Sequence, residues 1–273
     1  MISNLNVLKK MLIIGILTLL SFVVVSGIFL AEEKHILISE KKSKLVNIVE
    51  IPYSLIESEY KAFTEGKIDE NTAKENALNA IKRLRYDKTN YIWINDDSLP
   101  YPKMIMHPIA TSLEGKVLNA EKFNCATNLE YSNNETVKTD GKKNLFQSFV
   151  EVVNKNNTGF VGYLWPKPKA DGTNTEELYE KLSYVKKFDK WGWVIVSGIY
   201  IDDVEQQFNN SLMNIIFIVV FILIILSIAS YFIVKDIVSK INLLDNGLVD
   251  FFKFLNKENN TAKLISIDSK DEI

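Results

Sequence analysis

Hydrophobic and polar positions divide this chain into two unbroken apolar runs and a patterned middle. Residues 11–31 and 212–234 carry no charge and are interrupted only by Gly, Ser, Thr and one Asn. Each has the roughly 20 residues that a helix needs to cross a bilayer. The first run exceeds the roughly 7–15-residue core of a signal peptide, and Ala31-Glu32-Glu33 is a poor cleavage site, so both runs are read as membrane spans. From Ala31 to Glu65, apolar residues recur at helical spacing (Leu45, Ile48, Leu55, Tyr60, Phe63). Gly66 supplies a stop, and Pro52 either kinks this helix or divides it. Asp69 caps a second helix with Ala73, Ala77, Ile81 and Leu84 on one side. At Tyr91 the period drops to two: Tyr91, Trp93 and Asn95 face one way, Ile92 and Ile94 the other. Asp96-Asp97-Ser98 with Pro100 and Pro102 turns the chain into Met104-Ile105-Met106, which Pro108 ends.

Val117–Lys143 is polar and Asn-rich and reads as a surface excursion, with Cys125 incidental within it. Asn144–Asn154 reads as a short helix with Leu145, Phe146, Phe149, Val152 and Val153 inward. Strands follow at Gly159–Trp165, Leu182–Phe188 and Trp191–Ile201, with a loop at Ala170–Glu177. Helix, helix, hairpin, helix and three strands make an α+β layout with a mostly antiparallel sheet, whose one face the long first helix covers. Asp202-Asp203-Val204 opens a helix into the second span. Beyond it, Ile237, Ile241, Leu244, Leu248, Phe251 and Leu255 step by 4, 3, 4, 3, 4. Such a heptad seam needs a partner helix and predicts a homodimer.

Charge orients the molecule. Lys9 and Lys10 precede the first span, and Lys235 and Lys240 follow the second. The positive-inside rule then puts both termini in the cytoplasm and about 180 residues outside the inner (plasma) membrane, enough for one domain. The expected divisions are a tail at 1–10, spans at 11–31 and 212–234, an outer domain at 32–211, and a relay segment at 235–273. A net charge of −2 argues against a nucleic-acid partner. One cysteine forms no intrachain disulfide, and two histidines are too few for a four-ligand zinc site, so no metal or cofactor is expected. No nucleophile–base motif or phosphate loop points to an enzyme. Asp96/Asp97 and Asp202/Asp203 are adjacent pairs, and strand neighbours face opposite ways, so neither is an acid/base dyad. A membrane-anchored enzyme and a ligand-free scaffold are the rival classes.

The hairpin's Tyr91/Trp93/Asn95 face, with His107 and the upstream Arg85, is suited to a small polar ligand, although the same rings serve equally as core. A carboxylate leaving water needs charge-assisted donors, each worth roughly 1.5–3 kcal/mol. Arg85 offers a bidentate fork and Lys186 a point charge, with Lys187 having equal claim on composition. Tyr91, Tyr163 and Tyr184 offer hydroxyls, His107 donates or accepts, and Trp93 and Met106 can wall an apolar tail. The competing readings are an Arg85 ion pair with Asp87 or Asp96, a solvated Lys186, and a structural His107.

Several stretches carry a resemblance in a fixed order: Tyr91-Ile-Trp-Ile-Asn-Asp96, Met104-Ile-Met-His-Pro108, Leu113-x-Gly-Lys116, Gly141-Lys-Lys-Asn-Leu-Phe146, Gly159–Pro168, Lys181–Lys186 and Trp191–Val204. From about Arg85 to Val204 the chain resembles the single Cache sensor domain, type 2, of bacterial chemoreceptors. Val117–Asp140 is longer than the family's usual connection. From Lys235 the chain looks like the first helix and connector of a HAMP relay, and Asp271-Glu272-Ile273 like the opening of its second helix. The resemblance is to the N-terminal part of a methyl-accepting chemotaxis protein. It implies a PAS-like antiparallel sheet with a long N-terminal helix. It also implies a small organic acid as ligand (acetate, propionate, pyruvate or lactate class) and cytoplasmic kinase-coupling machinery as partner. A histidine kinase or a cyclic-nucleotide enzyme is the alternative output.

Overall fold

Helix α1 runs from Val7 to Thr64 and continues through Pro52, so the proline neither stops nor divides it. The computed structural model describes residues 7–87, 90–169, 173–258 and 261. Their contacts separate into two units, one from residues 1–31 and 209–273, the other Glu32–Phe208. The first unit contains the two apolar helical stretches. Both helices are long and apolar enough to cross a membrane. Their large side chains are exposed, as with Ile14, Phe29, Phe217 and Phe221, each more than 60% accessible. Helix α4 (Asp202–Leu255) is unbroken through the heptad seam, along which Ile241, Leu248, Phe251 and Leu255 are exposed. The expected opening of a second relay helix at Asp271-Glu272-Ile273 lies outside the described residues.

In the second unit, helix α2 (Glu70–Arg83) starts where the Asp69 carboxylate accepts the Thr72 amide, and it buries Ala73, Ala77 and Ile81. Seven strands follow: β1 (Ile92–Asp96), β2 (Met104–Met106), β3 (Asn124–Tyr131), β4 (Thr136–Asn144), β5 (Thr158–Pro168), β6 (Asn174–Phe188) and β7 (Trp193–Tyr200). They form one antiparallel sheet in the order β2-β1-β7-β6-β5-β3-β4. The excursion expected at Val117–Lys143 is thus largely the edge strand β4 and its neighbour β3, and β6 begins where a loop was expected. Period-two apolarity is weak in β4, which is mostly exposed, so its polar residues read as loop.

The sheet separates two cores. On one face α1, through Leu45, Val49 and Ile56, packs on Ile92, Ile94, Leu182, Tyr184, Ile195 and Ile199. On the other, helix α3 (Leu145–Asn156) packs Leu145, Phe146, Phe149, Val152 and Val153 on Trp93, Val161, Val185 and Val196. Asn144 caps α3, its side-chain oxygen accepting the Gln147 amide at 3.0 Å. The first turn of α4 is tied to this unit by Lys41–Asp203 and by Lys167–Asp202 at 2.5 Å.

Candidate ligand site

Alternation along the strands decides which side chains meet. On the α3 face, β6 presents Lys181, with Tyr163 of β5 and Tyr200 of β7 as its direct cross-strand partners. Lys181 is only 6% exposed. Among the described residues its ammonium meets no carboxylate and no hydrogen-bond acceptor. It lies instead 4.8 Å from the Tyr200 ring centroid and 5.7 Å from that of Tyr91. Burial alone pushes its pKa down from the usual 10.5 to about 8. A buried charge without a counterion among the described residues is costly.

The groups around Lys181 are donors. The ring centroids of Tyr91 and His107 are 5.0 Å apart, and Trp93 stacks on His107 at 6.0 Å. The Trp93 Nε1–H is buried and has no partner among the described residues. His107 Nδ1 accepts the amides of Ala110 at 2.7 Å and Ile109 at 3.2 Å. Its proton therefore sits on Nε2. Burial first, then the Lys181 and Arg85 charges, push this imidazole down to about 4 against the opposing pull of Glu114, so it is neutral at physiological pH. Phe149 closes the far side, 6.1 Å from Trp93 and 6.3 Å from Tyr163. The Tyr163 hydroxyl is taken up by Ser183 at 2.9 Å, and that of Tyr200 donates to the Pro166 carbonyl at 2.7 Å. Gly198 leaves room beside these groups: a Cβ there would lie 2.2 Å from Ser183 Oγ and 3.3 Å from Lys181 Cε.

Of the residues expected from sequence, the fold brings together Tyr91, Trp93, His107 and Tyr163. Arg85 is exposed at the edge, its Nη1 donating to the carbonyls of Lys82 and Leu84, and its charge acts on both Tyr91 and His107. Neither expected ion pair forms, since Asp87 binds Lys44 and Asp96 accepts the Lys103 and Ser98 amides.

Three expectations need correction. Tyr184 and Lys186 are even-numbered on β6 and face α1: Tyr184 packs on Phe160, and Lys186 binds Glu50 at 2.6 Å over the Tyr53 ring. Lys187 shares the Lys181 face but is held by Asp97 at 2.9 Å. Met106 is also turned to the α1 side. An irregularity in the β1–β2 pairing sets Met106 opposite Ile94 but Met104 opposite Asn95, reversing the alternation. Lys181, Tyr200 and Phe149 were missed; a signal for Lys181 exists in the Tyr163-to-Lys181 register of the hairpin, legible only once the turn is placed. Among the described residues, no three His, Cys, Asp or Glu side chains converge as metal ligands.

Comparison with known proteins places this architecture. The Cache domain family profile matches residues 25–220. The methyl-accepting chemotaxis protein McpP of Pseudomonas putida is 28% identical over 211 residues, covering 77% of this chain and 34% of that protein. The sensor histidine kinase MctS of Rhizobium johnstonii is 24% identical over 201 residues, covering 72% of this chain and 38% of that protein. The chain thus spans little more than a third of the length of these relatives. A solved structure described as the basis for carboxylic acid recognition by a Cache chemosensory domain is 30% identical, with a TM-score of 0.49. It is matched over 97% of its length by 61% of this chain.

Proposed function

The chain belongs to the Cache domain family, and from that premise we propose that it is the sensing part of a two-pass membrane receptor for a small organic anion. The ligand class is acetate, propionate, pyruvate or lactate. Residues 32–211 lie outside the inner membrane and both termini lie in the cytoplasm, as the Lys9/Lys10 and Lys235/Lys240 flanks favour. The observation that carries the reading is Lys181, a buried ammonium without a counterion among the described residues. Around it, the neutral His107 Nε2–H and the Trp93 Nε1–H are free to donate, and Arg85 is at the edge. One carboxylate satisfies this set: it pairs with Lys181 and accepts from His107 and Trp93, while Tyr91, Phe149 and Tyr163 enclose a short apolar tail. Among the described residues, the cluster offers no carboxylate for a ligand's ammonium group.

Binding then biases a homodimer between two arrangements, and α4 carries the difference to the seam from Ile237 to Leu255, which acts as a HAMP helix. The ligand must bind the two arrangements unequally to be transmitted. Chemotaxis signalling through cytoplasmic kinase-coupling machinery is the first reading of the output. The likeness to MctS supports a histidine kinase output as the second.

Isothermal titration of the chain in detergent micelles against acetate, propionate, pyruvate and lactate tests the ligand class. Saturation at 100 times Kd adds about 2.7 kcal/mol of stability. Lys181→Met removes a charge-assisted contact worth roughly 1.5–3 kcal/mol and weakens binding by at least about tenfold. Silence of every carboxylate beside a response to amines or sugars would falsify the reading.

A further inference from the structure

We propose that Glu114 is a positioning residue for this ligand site: one carboxylate ties the His107 loop to the end of α2 and so holds the ligand's imidazole donor in register with the Arg85 edge. The proposal rests on the functional reading above.

Glu114 belongs to the turn that follows a short 3-10 segment, Thr111–Leu113. That turn is stapled to β2, because the Met104 carbonyl accepts the Gly115 amide at 2.8 Å and the Met104 amide donates to Lys116 at 3.0 Å. Glu114 Oε1 accepts the backbone amide of His107 at 2.9 Å. The same oxygen accepts Lys82 Nζ at 2.8 Å, and Oε2 accepts it at 3.1 Å. Lys82 is in the last turn of α2, and its carbonyl receives the Arg85 guanidinium. The carboxylate therefore bridges the segment bearing His107 and the segment bearing Arg85. Glu114 meets His107 at its backbone amide.

An exposed Lys–Glu pair contributes little by itself, and this one is about a third exposed on either side. What distinguishes it is the third partner. With the His107 amide fixed, the loop returns the Ile109 and Ala110 amides to His107 Nδ1 and so holds the Nε2–H tautomer that an anion needs. Without the carboxylate, the loop must be ordered at the moment of binding, and affinity falls by that cost.

The test uses the full chain in detergent micelles, carrying His35→Gln so that His107 is the one imidazole, labelled with 15N-histidine. The parent should show a neutral Nε2–H ring titrating near 4. Glu114→Ala should weaken acetate and propionate binding by about tenfold, and Glu114→Gln, which keeps the amide acceptor, by less. In Glu114→Ala the His107 titration should rise toward the ordinary imidazole value as water reaches the ring. Mere loss of a negative neighbour would move it down, and that outcome overturns the proposal. So does unchanged affinity with an unchanged tautomer. Lys82→Met cuts only the α2 arm and serves where Glu114→Ala does not fold: it should weaken binding while the tautomer persists, and parental affinity there overturns the tie to α2. If the parent binds no carboxylate, the functional reading fails, and the imidazole spectrum still decides whether Glu114 orders the loop.

Discussion

Lys181 and Gly198 show how single positions set the chemistry of this site. The Lys181 ammonium is depressed to about 8, so the folded chain sheds this proton before the unfolded chain does. Between about 8 and the ordinary 10.5 the unfolded chain holds more protons, so this group's contribution to stability rises with pH across that window. Anion binding has the opposite sign, because it needs the proton. Affinity measured by titration calorimetry should be flat between about pH 6 and 8 and fall by about tenfold per unit above that, and a slope that persists in Lys181→Met would assign the effect elsewhere. Gly198 has a steric role. Alanine there meets Ser183 Oγ at 2.2 Å and must displace it, breaking the Tyr163–Ser183 bond and crowding Lys181. Gly198→Ala should cost about 1–3 kcal/mol in thermal unfolding and weaken carboxylate binding in the same samples.

At the scale of elements, the sheet insulates one packed face from the other. The α1 face is a load of apolar packing, and the α3 face contains the donors. Ile56→Ala should lower stability by about 2–5 kcal/mol in chemical denaturation and leave Kd unchanged. Lys186→Met, which breaks the bond to Glu50 and the contact with the Tyr53 ring on the α1 face, should likewise leave Kd unchanged. A large loss of affinity in either variant would mean that the faces are coupled. The same insulation explains what was legible in the sequence. The hairpin at Tyr91–Met106, the α3 inward face and three of the strands followed from periodicity, and with them Tyr91, Trp93, His107 and Tyr163. Lys181 escapes the sequence reading because the strand expected at Leu182–Phe188 begins one residue after it, whereas β6 already begins at Asn174, a point that composition near residues 169–177 does not mark. Met106 was misdirected by a pairing irregularity that has no sequence signature of its own. Strand β4 is hidden because an exposed edge strand has little apolar alternation to detect, and β3 because its buried Ala126, Leu129 and Tyr131 are spaced irregularly among polar residues.

For the whole molecule, topology and association are read with thiol reporters. Cys125 is the sole cysteine, so a Cys125→Ala background allows reporter thiols to be placed at will. A cysteine at exposed Tyr101 should react with a membrane-impermeant maleimide in intact cells, and one at Lys253 only after permeabilisation. The reverse pattern would invert the proposed topology. Cysteines at exposed Leu248 should cross-link between copies if the seam pairs, and acetate should change that yield if the seam relays binding. The geometry also bears on how such a message begins. Tyr200, whose ring lies under the Lys181 ammonium, ends β7, and α4 starts two residues later at Asp202. A guest that drew the ammonium off that ring would act next door to the outgoing helix, with no gear train between lock and driveshaft.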